Sequence, residues 1–263
     1  MYDFAYTKPS SIPEAVQALG ADPEAKALAG GQTFIPVLKQ RLNKPTSVVD
    51  LSGIGLTGIT AEPGRITIGA MTTHHMIEAS PDIQRGIPGL AKMASWIGDI
   101  QVRHRGTMGG SLANNDPSAC YPAAVLALGA TIHTDRRSIA ADEYFQGMFT
   151  TALEPGELIT AVEFPIPERS NYEKFRNPAS RYAMVGVFVA KGPMGTRLAI
   201  TGASQSGVFR HMGMEQALAV DFSPDAIKGI VTPADGLNGD IHASAEYRAH
   251  LIGVMARRAV AAA

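Results

Sequence analysis

The sequence predicts a two-domain chain of mixed helix and strand, on three observations. Helices and strands alternate within the first 52 residues. An apolar content of 45% is enough for real cores in 263 residues, and a stretch rich in proline and charge, "PIPERSNYEKFRNPASR", separates two structured regions after residue 164. The boundary is placed near residue 168, because domain borders fall where proline and polar residues collect.

The elements follow in order. Ser11 with Glu14 three residues later fits a capping box, and the helix that it opens, "IPEAVQALG", stops at Gly20. Ala25 to Ala29 reads as a strand. After the pair Gly30–Gly31, "FIPVLKQRL" has apolar positions at helical spacing, and "SVVDL" from Ser47 has the β-branched richness of a buried strand. "GRITIGAMTT" from Gly64 alternates as a strand does, and "PGLAKMASWIG" from Pro88 is a helix stopped by Gly98. A second glycine turn, "RGTMGGSLANNDP", runs from Arg105 to Pro117. "PAAVLALG" is a short buried helix, while "ATIHT" and "ELITAVEFP" are strands, the latter closed by Pro165 and Pro167. Beyond the boundary, "YAMVGVFVAKG" and "TRLAITGAS" are strands joined through Gly192 to Gly195. The tail "SAEYRAHLIGVMARRAV" is an amphipathic helix with Tyr247, Leu251 and Met255 on one face and arginines opposite.

Composition removes several functions. The net charge is -1 and no run of like charge occurs, so neither nucleic acid nor anionic lipid is expected as a partner. One cysteine, Cys120, excludes a disulfide framework and a cysteine-rich zinc or iron-sulfur site within the chain. The N-terminus shows no signal peptide pattern, and the longest apolar run, near Ala123 to Ile132, is too short for a bilayer core of about 30 Å. A soluble cytoplasmic protein is expected.

"GIGLTG", Gly53 to Gly58, has the spacing of a dinucleotide fingerprint, but a second strand rather than a helix follows it, so that reading is rejected. The two Gly-Gly stretches, "AGGQT" and "TMGGS", are better candidates. Each places paired glycines before a hydrogen-bonding side chain, and glycine lets successive backbone amides converge on an anion. Taken singly, a turn of this kind is more often structural than ligand-binding.

Together with their surroundings these stretches become specific. "LAGGQTFIPVLKQRL", "VVDLSGI", "ITIGAMTTHH", "QVRHRGTMGGSLANNDPSACYPAAVLALGA", "ALEPGELITAVEFP" and "SAEYRAHLIGVMARRA" occur in an order that resembles the flavin-binding medium subunit of molybdenum hydroxylases, the family of carbon monoxide dehydrogenase medium subunits and the xanthine dehydrogenase flavin domain. The resemblance implies an α+β fold: a two-subdomain FAD-binding domain of the PCMH/vanillyl-alcohol-oxidase-like type (residues 1–168, split into roughly 1–55 and 56–168), then a small α+β C-terminal domain (169–263). It implies that Ala29, Gly30, Gly31, Gln32 and Thr33 wrap the FAD pyrophosphate, and that Thr107, Gly109, Gly110 and Ser111 form the second wall. Ile97, Val102 and Ile159 fall at apolar pocket positions, where core packing is the competing role. Asn114 and Asp116 fall where polar groups meet the cofactor, and Tyr182 falls near the isoalloxazine ring. Many relatives carry Asp at the position of Cys120, a carboxylate that can help hold the cofactor's sugar.

No metal role is expected for the adjacent His74 and His75, which project in different directions. Arg103, His104 and Arg105 could attract phosphate, and a solvated face or a subunit contact is the competing role. The resemblance further implies an oxidoreductase subunit with no catalytic residue of its own and no metal. Molybdopterin sits in a large partner subunit and the iron-sulfur clusters in a small one, and electrons leave this chain for an external acceptor. A self-sufficient flavin oxidoreductase and a structural subunit with weak or no flavin are the alternatives.

Overall fold

The computed structural model describes residues 1–263. The chain begins with β1 (Ala5–Thr7), α1 (Ile12–Gly20), β2 (Lys26–Leu28), α2 (Phe34–Lys39) and β3 (Ser47–Asp50), the three strands pairing in parallel in the order β1-β3-β2. Helix α1 starts as predicted. The Ser11 hydroxyl accepts from the Glu14 amide at 3.4 Å, and the Glu14 carboxylate turns back to the Ser10 amide at 2.8 Å. Its Ala15 and Leu19 pack on Val49 and Leu51 in a small core.

The second unit opens with β4 (Ile59–Glu62) and β5 (Arg65–Gly69). Gly55 and Gly58 take φ of +75° and +148° and lead directly into β4, so no helix follows the fingerprint-like glycines and the rejection of that reading holds. Six short helices come next: α3 (His74–Ala79), α4 (Pro81–Gly86), α5 (Pro88–Ser95), α6 (Ile100–Arg105), α7 (Met108–Asn114) and α8 (Tyr121–Leu128). Every residue of α8 is buried, and Gly129, at φ +62°, ends it in the left-handed conformation that glycine adopts without strain. Then come β6 (Thr131–Thr134), β7 (Ser138–Ala140), α9 (Ala141–Tyr144), the hairpin β8 (Phe145–Gly147) and β9 (Thr150–Thr151), and β10 (Ile159–Pro165). Strands β4-β5-β10-β6-β7 form an antiparallel sheet in that order.

The third unit is the antiparallel sheet β11 (Arg169–Arg176), β12 (Ala183–Gly192), β13 (Gly195–Thr201) and β14 (Phe209–Arg210), covered by α10 (Met212–Val220) and α11 (Ala245–Ala261). Two expectations change here. The stretch at 165–181 does not merely separate two regions: eight of its residues form β11, paired along its length with β12. Its charges are accommodated by tertiary partners, as in the Lys92–Glu173 pair at 2.6 Å. The arginines of α11 do not all lie opposite its apolar face either. Arg248 is 4% exposed while Tyr247 is 43% exposed, because the guanidinium has two buried carbonyl partners and a carboxylate, Asp240, at the surface.

Strand β12 joins two cores. Val185, Val187 and Val189 pack with Leu251, Ile252 and Met255 of α11, while Phe188 and Ala190 enter the main core with Tyr121 and Leu128 of α8. A strand buried on both faces reads as a continuous apolar run, which "AMVGVFVA" is. No helix is long and apolar enough to cross a membrane.

Candidate cofactor site

The first glycine stretch leaves β2 and enters α2. Gly31 has φ +73°, a conformation costly for any residue with a Cβ, whereas Gly30 is constrained by its surroundings. A Cβ on Gly30 would overlap the Arg105 carbonyl oxygen and lie 2.8 Å from the Gly106 Cα and 2.9 Å from the Arg105 carbonyl carbon. The loops at 29–33 and 105–110 are therefore in backbone contact. Ala29 continues that contact: a Cβ on Gly110 would sit 3.4 Å from the Ala29 Cβ.

The second stretch is not a turn. Thr107 caps α7, its hydroxyl accepting from the Gly110 amide at 3.2 Å, so Gly109, Gly110 and Ser111 occupy the first helical turn. Helical glycines are uncommon because they cost stability. Packing explains one of them: the Gly109 amide donates to the Ala70 carbonyl at 2.9 Å, and a Cβ there would lie 2.7 Å from the Ala70 side chain. A bridge between Thr73 and Thr107, with His74 N donating to Gly106 O at 3.0 Å and Met108 N to Thr72 O at 3.1 Å, fixes this segment against the start of α3.

The backbone amides of Gly30, Gly31, Gln32 and Thr33 donate to no acceptor in the chain. Gly30 and Gly31 are half-buried and Gln32 and Thr33 exposed, and an anion suits such a run of unpaired donors. The Gln32 side chain is turned back, its Nε2 donating to the Gly30 carbonyl at 3.2 Å. These donors fit a pyrophosphate.

The remaining predicted residues are spread more widely. Asn114 ends α7, and the Asp116 carboxylate accepts from the Ser118 amide at 2.8 Å in an Asx turn. Ile97 is half-buried against the main core. Val102 is half-buried in α6, its carbonyl accepting from Gly106 N at 2.7 Å. Ile159 is 6% exposed within the main core. Tyr182, just before β12, is 61% exposed, and the partial burial of its hydroxyl, followed by the nearby Asp116 charge, raises its pKa. Beside it is a cleft of about 200 Å³ lined by Ser118, Tyr182, His242 and Arg248 among others. The Cys120 side chain is buried, with its sulfur 3.4 Å from the Lys174 ammonium.

Sequence reasoning missed several residues that hold this arrangement. Asn115 takes φ +43°, and its side-chain amide donates to Gly147 O at 2.8 Å and Thr150 O at 2.9 Å, clipping the β8–β9 hairpin to the end of α7. An asparagine just past a helix is the local signal for that conformation. Of the basic trio, Arg103 belongs to the interior: its Nε lies 2.9 Å from a Glu78 oxygen and its side chain is 17% exposed. His104 stacks on His75 with ring centroids 3.9 Å apart.

His74 supports the second loop from behind. It is 5% exposed, with Nδ1 3.2 Å from the Tyr121 hydroxyl and Nε2 against Gly106. Burial lowers its pKa to about 4, against an opposing pull from Glu78. The folded chain thus resists a proton that the unfolded chain accepts below about pH 6.5, and stability falls as pH drops from there toward 4. The expected loss over that window is about 3 kcal/mol. Urea unfolding across it should show this decline in the wild type and a clearly shallower one in His74→Asn; equal slopes would remove His74 from the account.

Comparison with known proteins decides the family. Residues 2–167 match the FAD binding domain in molybdopterin dehydrogenase. The chain belongs to that family. It is 35% identical to the carbon monoxide dehydrogenase medium chain of Afipia carboxidovorans over 98% of this chain and 95% of that one. It is 33% identical to the nicotine 6-hydroxylase medium subunit of Paenarthrobacter nicotinovorans, over 97% and 95%. Among solved structures, quinoline 2-oxidoreductase from Pseudomonas putida 86 superposes with a TM-score of 0.88 at 30% identity, covering 99% of this chain and 96% of that chain. The α+β class and the FAD cofactor expected from the sequence are borne out, and the protein is an oxidoreductase subunit of the medium-chain type.

Proposed function

We propose that this chain carries electrons in a cytoplasmic molybdenum hydroxylase, from the iron-sulfur clusters of a small subunit to an external acceptor, while a large molybdopterin subunit oxidises the substrate. The unpaired amides of Gly30 to Thr33, held against Arg105–Gly106 beside the cap of α7, carry this reading. Ala29, Gly30, Gly31, Gln32 and Thr33 form one wall of the pyrophosphate site, and Thr107, Gly109, Gly110 and Ser111 form the other. Asn114 and Asp116 supply polar contacts at the end of α7. Ile97, Val102 and Ile159 supply the apolar side, and Tyr182 covers the flavin ring and limits its access to oxygen. Residues 1–168 form the FAD unit, with subdomains 1–55 and 56–168, and 169–263 form the C-terminal domain.

Bound FAD supplies redox chemistry that no side chain here can perform. The chain's own part is to bind, orient and exclude water. The amides would donate hydrogen bonds to the diphosphate, and Thr107 keeps the first turn of α7 in place through Gly110. Glu78 pairs with Arg103 and so keeps that cation from the phosphate. Replacing Gln32 with Ala is expected to weaken FAD binding by less than about tenfold, since its side chain serves only the Gly30 carbonyl. Fluorescence titration of the apoprotein with FAD measures this.

The division of labour has its own test. Substrate added to the assembled complex should bleach the flavin absorbance, and the same substrate added to this chain alone should not. Bleaching in the isolated chain would favour a self-sufficient oxidoreductase.

A further inference from the structure

Helix α10 starts on a histidine. His211 holds the N-cap position, and its imidazole Nδ1 accepts from the Met214 amide at 3.2 Å. The usual residues there, serine, threonine, asparagine and aspartate, accept through an oxygen, whereas an imidazole accepts only through a nitrogen that a proton can occupy. The one proton of the ring then sits on Nε2, which faces the Thr232 hydroxyl at 3.2 Å. Thr232 is 8% exposed between an exposed Val231 and an exposed Pro233, and this is the one hydrogen bond that residues 231–233 make. Farther along, the same segment is tied down again: the Asn238 amide donates to Ala203 O at 2.7 Å, and Asp240 holds Arg248 at 2.6 Å. Asn238, Asp240 and His242 form one wall of the cleft beside Tyr182.

The charges around the ring are already engaged. Glu215, one turn into α10, acts on it, but Oε1 of that carboxylate accepts from the Leu198 amide at 2.9 Å and Oε2 pairs with Arg210 of β14 at 2.6 Å. Strand β13 meets His211 through its backbone, His211 N donating to Leu198 O at 3.0 Å, and its Arg197 pairs with Asp142, as Arg210 also does. Asp225 and Lys228, in and just after the short turn packed against α10, make no ion pair with the ring.

We propose that His211 is an acid-released latch, which holds the start of α10 and residues 228–235 in place while its ring is neutral and frees both when the ring takes up a second proton. A proton on Nδ1 sets donor against donor at the Met214 amide and puts a cation at the positive end of a helix. The ring must then turn out toward water, and its bond to Thr232 is lost with the cap. Burial lowers the pKa of the ring from 6.5, against the opposing pulls of its own carbonyl and of Glu215. The latch is therefore closed above the ordinary imidazole value and opens as pH falls below it. Opening frees one end of the segment that walls the cleft, leaving residues 236–242 tied only at Ala203 to Gln205 and at Arg248.

Hydrogen exchange of the full chain with FAD bound, read by mass spectrometry at pH 8 and pH 5 and corrected for the intrinsic rate at each pH, tests this. Peptides over 212–216 and 228–235 should lose protection roughly five- to tenfold at pH 5, the scale of a lost helix cap. Helix α11, which packs in the same core as α10, should keep its protection and so separates this local opening from the wider effect of His74. His211→Asn supplies an oxygen cap that does not titrate: 212–216 should stay protected at both pH values, and 228–235 should exchange fast at both. Thr232→Val should free 228–235 at pH 8 with the cap intact. The proposal is overturned if wild-type 212–216 keeps its protection at pH 5, if α11 loses as much as 212–216 does, or if His211→Asn loses as much as the wild type. The first two comparisons need no variant.

Discussion

Substituting Gly30 with valine is expected to weaken FAD binding by about two orders of magnitude, or about 3 kcal/mol, while leaving the chain folded. The new side chain would meet the Arg105 and Gly106 backbone, which cannot swing aside as a side chain tip can. The loops must then part, and the amides of Gly30 to Thr33 lose their register with the wall formed by α7. Gly31 and Gly110 are expected to be more forgiving, although Gly31 still carries the strain of φ +73°. A Cβ on Gly31 meets the flexible end of Ile35, and one on Gly110 meets the Thr107 hydroxyl and, at 3.4 Å, the Ala29 side chain. Gly20→Ala provides the contrast: a Cβ there has nothing within 4 Å, so stability should rise by about 0.5 kcal/mol with flavin affinity unchanged. Titration of the apoproteins with FAD, alongside circular dichroism, ranks the four variants.

The second large effect is expected at Arg248. Its guanidinium donates to Met184 O at 2.6 Å and Gly202 O at 3.1 Å, and it holds the Asp240 carboxylate at 2.6 Å. Arg248→Met fills much of the volume but leaves two buried carbonyls without their donor, for a cost of about 3 kcal/mol and a midpoint lower by roughly 6 to 12 °C. Those carbonyls bracket the ends of β12 and β13. The Gly202 amide donates to Pro117 O at 2.8 Å, and Thr201 Oγ1 to the same carbonyl at 2.9 Å. The loss therefore loosens the join between the sheet that carries Tyr182 and the loop after α7. Arg258→Ala, on the exposed side of α11, should change stability by less than about 0.5 kcal/mol. Thermal unfolding of both variants measures the difference; equal midpoints would show that the buried arginine is not structural.

Elements whose signals are local were legible in the sequence. The Ser11–Glu14 cap, the stop at Gly129 and the alternation of β5 need no distant partner. Strand β11 was hidden because Lys174 and Glu173 look like surface residues until Trp96, Cys120 and Lys92 are brought to them from far along the chain. The helical wheel of α11 likewise placed the arginines on one exposed side, because nothing local reports that the Met184 and Gly202 carbonyls point at Arg248. The glycines of α7 looked like a turn for a related reason. What makes Gly109 tolerable in a helix is Ala70, which belongs to the end of β5. The candidate site was legible through the order of its motifs rather than through either loop, since the contact that joins them, Gly30 against Arg105, exists only in the folded chain.

The two loops in backbone contact are proposed to hold an FAD. The most direct measurement is the visible absorption spectrum of the purified chain, followed by heat release and chromatographic identification of the chromophore. FAD is expected at one per chain, and its loss in Gly30→Val. A colourless wild-type chain that also fails to take up added FAD would contradict it.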